Sequence, residues 1–118
     1  MDIYKKFSFD SAHYLPNLPE DHKCKRMHGH TFNVEIHISG PIDKKIGWIM
    51  DFGDVKEVCG PVINQLDHIV LNEVSGLENP TSENLAVWIW KKVHPKLPQL
   101  KKIIVSETCS TGCIYKGD

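Results

Sequence analysis

The sequence predicts an α+β fold, an antiparallel four-stranded sheet with two helices on one face, in the order strand-strand-helix-helix-strand-strand. Three observations carry this prediction. Apolar and polar side chains alternate from Phe32 to Ile38, which is the period of a half-buried strand. Apolar residues recur every three or four positions from Val55 to Leu66, which indicates an amphipathic helix. Residues 79–83 combine capping side chains with an acidic first turn and start a second helix.

The two N-terminal strands should pair with each other. The first covers residues 3–9, and its alternation, continued along the chain, puts His13 on the apolar face. Two prolines break the pattern in residues 15–21, which form a loop that lets the next strand turn back. The alternation of that second strand, continued backwards, puts His28 and His30 on its apolar side. His13 could therefore join His28 and His30, although a lone histidine in such a position is more often a core or surface residue.

Particular residues in each helix predict its shape or its contacts. The first contains Pro61, which removes a backbone hydrogen bond and should kink it, and Cys59, which lies on the apolar stripe and belongs in the core. The second contains Trp88 and Trp90, which are two positions apart and point in nearly opposite directions. We therefore expect one of these tryptophans to be exposed, as at a subunit interface.

The C-terminal part predicts a strand from Lys102 to Thr108 and a turn into a short last strand. Glu107 stands where the alternation calls for an apolar side chain, so its carboxylate must reach water or meet a specific donor. Cys109 and Cys113 flank the turn without a second matching pair, which favours a structural role over a metal site.

Composition and charge argue against a nucleic-acid-binding or membrane protein. The chain has 118 residues with 14 basic and 15 acidic side chains, so its formal net charge is −1. This length suits one domain over residues 1–118, and no like-charge block suggests nucleic acid or a membrane surface as a partner. The longest apolar runs are too short for a bilayer span, and residues 1–20 lack a signal-peptide core. We expect a cytoplasmic protein whose cysteines are free thiols or metal ligands.

The stretch from Cys24 to His30 places one thiol and two imidazoles within seven residues. Histidines at positions i and i+2 of one strand face lie about 7 Å apart, close enough to bind one zinc ion together. Cys24 and the histidine cluster (His13, His28 and His30) could form a closed structural site. Alternatively, the histidine cluster alone holds the ion and leaves a fourth position open, with Cys24 a reactive thiol nearby.

Two features favour the open, catalytic site. A chain of this length with two good helices has little need for a structural metal. In addition, Asp67, His68 and Glu107 are titratable groups without a structural role.

The chain resembles the 6-pyruvoyl-tetrahydropterin synthase family. Five motifs carry this resemblance in the family's order: Phe9-x-x-Ala12-His13, Cys24-x-x-x-His28-Gly29-His30, Leu66-Asp67-His68, residues 79–83 and Glu107-Thr108. They cover essentially the whole chain. The three residues between Cys24 and His28 resemble the bacterial branch, 6-carboxy-5,6,7,8-tetrahydropterin synthase of queuosine biosynthesis, whereas the animal-type branch has a longer insert there.

The resemblance implies an assembly and a reaction. The tunnelling fold (T-fold) of this family joins the sheets of three subunits into a barrel and stacks two trimers into a hexamer, with active sites between subunits. The implied enzyme is a zinc-dependent carbon–carbon lyase that converts 7,8-dihydroneopterin triphosphate to 6-carboxy-5,6,7,8-tetrahydropterin, acetaldehyde and triphosphate. Within the family, the alternative is 6-pyruvoyl-tetrahydropterin synthase activity, which keeps all side-chain carbons. An alternative of another class is a non-catalytic, zinc-stabilised binding module.

The resemblance also implies residue roles. The histidine cluster would hold one Zn²⁺ per subunit, whose open position takes the substrate hydroxyls. Cys24 would be the general base, and His68, oriented by Asp67, would relay its proton. Glu107 would accept two hydrogen bonds from the pterin. Thr81 and Ser82 would line the pterin pocket from a neighbouring subunit. The candidates for the triphosphate are Lys23, Lys25 and Arg26, for which a solvated basic loop is an equally good interpretation.

Overall fold

The computed structural model, which describes all of residues 1–118, is organised around two long antiparallel strands. Their register runs without a break from Asp2 opposite Ser39 to His13 opposite His28. The sheet order is β1-β2-β3-β4 and the helices lie between β2 and β3 in the chain. The elements are β1 (Asp2–His13), β2 (His28–Ser39), α1 (Phe52–Asn64), α2 (Ser82–Val93), β3 (Leu100–Ser106) and β4 (Cys113–Tyr115). The predicted order of elements is confirmed.

The strand ends differ from those that alternation alone predicts. β1 continues to His13, because cross-strand pairing with β2 holds residues 10–13 in the extended conformation up to the proline loop. β3 ends at Ser106, so that Glu107 lies directly after the strand. Both differences concern the same end of the sheet, where the titratable side chains gather.

The core lies between one face of the sheet and both helices. It contains 21 buried apolar residues. The even positions of β2 supply its centre and are fully buried: Phe32, Val34, Ile36 and Ile38. Cys59 is also fully buried, as predicted, and burial raises the pKa of its thiol to about 11. This thiol therefore stays protonated and unreactive at neutral pH.

Side-chain caps decide where the helices begin. The Asp51 carboxylate accepts a hydrogen bond from Gly53 N at 2.8 Å at the start of α1. The Thr81 hydroxyl accepts one from Asn84 N at 3.1 Å at the start of α2. Each cap satisfies a backbone N–H group that has no partner inside the first turn. Pro61 lies inside α1, which continues through it to Asn64.

The expectation of an exposed tryptophan on α2 is wrong. Trp88 is 8% exposed and donates its indole N–H to Ser75 O at 3.2 Å. Trp90 is half-buried between His94, which stacks on it at 5.1 Å, and Tyr115 at 5.5 Å. The C-terminal strand covers the outer side of α2, a contact that helical periodicity cannot reveal. Four of the eight exposed large apolar residues lie instead in one segment: Ile42, Ile46, Trp48 and Phe52.

The other face of the sheet and most of one of its edges are open. Thr31, Asn33, Glu35 and His37 point away from the helices, as their alternation predicts. β1 forms one edge of the sheet, and near its C-terminal end residues 67–70 run alongside that edge, bonded to Asp10 and Ala12. None of the helices is long and apolar enough to cross a membrane.

Candidate active site and metal centre

The histidine cluster forms where β1 ends and β2 begins. His13 and His28 are cross-strand partners, and His30 follows two residues along the same face. Their ring centroids lie 4.5 Å (His13–His28), 5.2 Å (His13–His30) and 4.9 Å (His28–His30) apart. One ligand nitrogen from each ring can be chosen so that all three lie within 4.8 Å of one another. The proximity predicted from strand parity is confirmed.

One buried ring nitrogen of the histidine cluster has no hydrogen-bond partner, and a bound cation would supply one. His13 Nδ1 lies 2.8 Å from Pro80 O, and His28 Nδ1 lies 2.7 Å from Arg26 O. Since a carbonyl only accepts, both Nδ1 atoms carry hydrogen and both Nε2 atoms offer a lone pair. His13 Nε2 is buried and has no hydrogen-bond partner. A buried, unpaired nitrogen aimed at two further imidazoles is what a three-histidine metal site requires.

Burial also keeps His13 in the state that binds metal. The side chain is 1% exposed, and the loss of solvation lowers the pKa of its imidazole, although the hydrogen bond to Pro80 acts in the opposite direction. The neutral ring is therefore favoured at neutral pH. Because a proton and a metal ion compete for the same lone pair, metal affinity should fall in acid.

Cys24 lies beside the cluster but outside it. It is half-buried in a short 3-10 segment, Lys23–Lys25, and its sulfur does not belong to the group of mutually close ligand atoms. A cavity of about 430 Å³ is lined by Lys23, Cys24, His28, Gly29, His30 and Glu107. This arrangement favours the open three-histidine site over the closed four-ligand site.

Glu107 closes the other side of this cavity. Its Oε2 lies 3.6 Å from His30 Nε2, and its Oε1 lies 4.0 Å from His13 Nε2. The Ser82 hydroxyl donates to Oε1 at 2.9 Å, and this hydroxyl is the specific donor that the sequence called for. Glu107 also lines a second cavity of about 240 Å³, together with Ser82, Glu83, Thr111, Gly112 and Cys113. Its carboxylate therefore faces two adjoining spaces.

Asp67 and His68 form a separate pair. His68 Nδ1 lies 2.9 Å from Asp67 Oδ1, and Asp10 N donates to the same oxygen at 3.0 Å. The Asp10 N–H and then the His68 ring hold the pKa of Asp67 below its usual value. The hydrogen bond to Asp67 raises the pKa of His68. His68 has a φ of 57°, which residues other than glycine rarely adopt, and its side chain is 77% exposed.

The structure does not bring Cys24 and His68 into one cavity of this chain. His68 lines a different space of about 920 Å³, with Asp10, Ser11, Ala12, Gly29, His30, Thr31, Ile69, Val70 and Glu73. Only Gly29 and His30 line both spaces. A relay from Cys24 to His68 is therefore not assembled within a single chain.

The remaining predicted residues fall in different places. Ser82 touches Glu107 within this chain, whereas the Thr81 hydroxyl is occupied as the cap of α2. In the basic loop, Lys25 pairs with Glu20 at 2.6 Å, while Lys23 lines the cavity of Cys24. Sequence reasoning missed the Pro80 carbonyl and Asp10, because both act through contacts between segments more than 50 residues apart.

Replacing Asp67 by Asn is expected to lower the pKa of His68. The amide can still accept from Asp10 N, so the change removes mainly the negative charge that favours the imidazolium. The folded-state pKa of His68 is raised, so its contribution to stability is present below the unfolded value of about 6.5 and is lost as pH rises through the folded-state pKa. NMR titration of the His68 ring measures the change. An unchanged midpoint would show that Asp67 does not set the charge of His68.

Known proteins resemble this chain over nearly its whole length. Residues 2–118 fit the family model described as 6-pyruvoyl tetrahydropterin synthase. A Synechocystis protein named 6-carboxy-5,6,7,8-tetrahydropterin synthase is 40% identical, with coverage of 96% of this chain and 91% of the relative. A Haemophilus influenzae protein of the same name is 41% identical, with 97% of both chains covered. A Pyrococcus furiosus protein named dihydroneopterin monophosphate aldolase is 37% identical, with coverage of 89% and 88%.

A solved structure of a family member has the same fold. The 6-pyruvoyl tetrahydropterin synthase of Caenorhabditis elegans superimposes with a TM-score of 0.92 at 25% identity, covering 100% of this chain and 96% of that one. The likeness includes the four-stranded antiparallel sheet and both helices, and the expected tunnelling fold is confirmed.

Proposed function

The chain belongs to the 6-pyruvoyl tetrahydropterin synthase family, and from this premise we propose that it is a lyase of the 6-carboxy-5,6,7,8-tetrahydropterin synthase type. Its substrates would be 7,8-dihydroneopterin triphosphate and water, and its products 6-carboxytetrahydropterin, acetaldehyde and triphosphate. Two relatives with this name, at 40% and 41% identity over nearly the whole chain, support the assignment. The product would enter queuosine (7-deazaguanine) biosynthesis.

The observation that carries the proposal is the unpartnered Nε2 of His13. This nitrogen faces His28 and His30 beside a cavity that also holds a thiol and a carboxylate. The histidine cluster would hold one Zn²⁺, and the chemistry supplied there is the lowering of the pKa of a bound substrate hydroxyl. A metal site with an open position and reactive side chains around it is typical of catalysis rather than of a structural module.

Three side chains of this protein would transfer the proton and bind the pterin. Cys24, as the thiolate, would take a proton from the substrate side chain. His68 keeps Nδ1 on Asp67, so its Nε2 is available to receive that proton. Glu107 would hold the pterin by accepting hydrogen bonds from its amino group and ring N–H. Because Glu107 faces both cavities, the pterin can lie in the smaller one while its side chain reaches the histidine cluster.

The proposal includes a homohexamer, a dimer of trimers with its active sites between subunits. Cys24 and His68 line different cavities of one chain, so a relay between them needs a second subunit. The edge of β1 before Asp10 and the polar sheet face are surfaces that a closed, water-filled barrel of several subunits would use. Lys23, which lines the cavity of Cys24, and the exposed Arg26 are the remaining candidates for the triphosphate.

Acetaldehyde release is the decisive assay. We expect purified zinc-loaded protein, incubated with 7,8-dihydroneopterin triphosphate, to release acetaldehyde and triphosphate in equal amounts. Triphosphate without acetaldehyde would instead identify the 6-pyruvoyl-tetrahydropterin synthase reaction, which leaves the side-chain carbons in place. Preferred turnover of the monophosphate would favour the aldolase activity named for the Pyrococcus relative. A matched reaction with heat-denatured protein measures spontaneous breakdown.

A further inference from the structure

Asp10 is tied to the Asp67–His68 pair by two backbone hydrogen bonds. Its backbone N–H donates to Asp67 Oδ1 at 3.0 Å, and its backbone carbonyl accepts from His68 N at 2.6 Å. Its carboxylate accepts a hydrogen bond from the hydroxyl of Thr31, its cross-strand partner on β2. β1 therefore holds Asp67 and His68 through the backbone of Asp10, and β2 holds the side chain of Asp10 through Thr31.

The carboxylate of Asp10 lies close enough to act on the charge of His68. One ligand atom from each of Asp10, Asp67 and His68 can be chosen so that all three lie within 4.8 Å of one another. Asp10 and Thr31 line the same cavity as His68. Two carboxylates around one imidazole favour its protonated form, and Thr31 keeps the second carboxylate in place.

We propose that Asp10, whose carboxylate is held by Thr31, is a positioning residue that helps His68 to receive a proton. This inference deepens the proposed function and rests on it, because His68 has a proton to receive only if the chain is the proposed lyase. Asp10 itself touches neither the histidine cluster nor Cys24 in the contacts described above. Its effect passes through Asp67 and His68.

Other charges around this cavity do not replace Asp10. Glu73 and His30 line the same space, but neither forms the hydrogen bonds that join Asp10 to the pair. Asp10 therefore supplies the second negative charge near His68, the one that Thr31 holds in place.

The test is Asp10→Asn, which keeps an acceptor for Thr31 and removes the charge. The matched control is Asp2→Asn, on the same strand and the same face, with a hydroxyl residue, Ser39, as its cross-strand partner. Asp2 lies eight residues away, about 26 Å along the strand, too far to act on His68. His68 is assigned in the NMR spectrum by the signal that disappears in His68→Gln.

We expect Asp10→Asn to move the midpoint of the His68 titration to lower pH and Asp2→Asn to leave it unchanged. In the turnover assay, kcat should fall about two- to fivefold, the size of one exposed charge pair, with KM and zinc content unchanged. Thr31→Val should shift the titration in the same direction, and the double variant should show less than the sum of the two effects.

A His68 midpoint that matches the wild type in Asp10→Asn would overturn the proposal, and so would equal shifts in Asp10→Asn and Asp2→Asn. The titration does not depend on turnover. If the wild-type protein releases no acetaldehyde while Asp10→Asn still shifts His68, the proposed function fails and the link between Asp10 and His68 stands.

Discussion

Cys24→Ala is expected to retain the metal and the fold and to lose turnover. The thiol lies in the cavity beside the histidine cluster but outside the set of ligand atoms that lie within 4.8 Å of one another. Removing it should therefore leave the three imidazoles free to bind one zinc ion. A general base contributes about 10²- to 10⁴-fold to a rate, so kcat should fall by at least about 100-fold.

Three measurements on one sample check this expectation: zinc content, the far-UV circular dichroism spectrum and acetaldehyde release. Cys109→Ala is the matched control, because Cys109 is an exposed thiol outside both cavities at Glu107. Loss of zinc and fold together in Cys24→Ala would make Cys24 a structural ligand. The closed four-ligand site would then replace the catalytic interpretation.

Mixing two kinds of variant subunit tests whether Cys24 and His68 of one active site come from different subunits. Cys24→Ala and His68→Ala subunits are each expected to be inactive alone. If each active site takes Cys24 from one subunit and His68 from another, random reassembly of equal amounts restores about a quarter of the sites. Absence of recovery in reassembled oligomers would place both residues in the same subunit's site.

His13→Ala is the second change with a large expected effect. It removes the most buried member of the histidine cluster, and a zinc ion held by only two imidazoles lacks the three protein ligands of a catalytic site. We expect less than one-tenth of the wild-type zinc content and turnover at background level. The control is His37→Ala on the opposite face of the sheet, where His37 pairs with Glu35 at 3.0 Å.

Removing the metal from the wild-type protein should reproduce part of the effect of His13→Ala. Without a cation the Nε2 of His13 stays buried and unpaired, and a ligand that binds only the folded state raises stability by mass action. We therefore expect zinc to raise the Tm of the chelated wild-type protein and to leave the Tm of His13→Ala unchanged. One full equivalent of tightly bound zinc in His13→Ala would contradict the three-histidine site.

Local periodicity accounts for most of the fold and for the histidine cluster. Alternation in β1 and β2 assigns each residue to a face, and a strand's period of two requires no information from elsewhere in the chain. Because His13, His28 and His30 obey that parity, their meeting follows once the two strands pair without a bulge. The same parity places Glu107 on the side of the helices.

Periodicity fails where distant segments meet. The spacing of Trp88 and Trp90 predicts that one of them is exposed, but the C-terminal strand covers Trp90, and no pattern within α2 contains that information. The partners of the site are equally non-local: Pro80 orients His13, Ser82 holds Glu107, and Asp10 holds Asp67.

By itself the sequence determined the candidate site residues and the strand face on which the histidine cluster lies. Only the tertiary structure decided how they are grouped. It placed Cys24 and Glu107 around the histidine cluster and placed His68 and Asp10 in a different cavity, with Asp67 hydrogen-bonded to both. The physical reason is that the orientation of a side chain along a strand is local, whereas the hydrogen bonds that hold a ring or a carboxylate come from segments far apart in the chain.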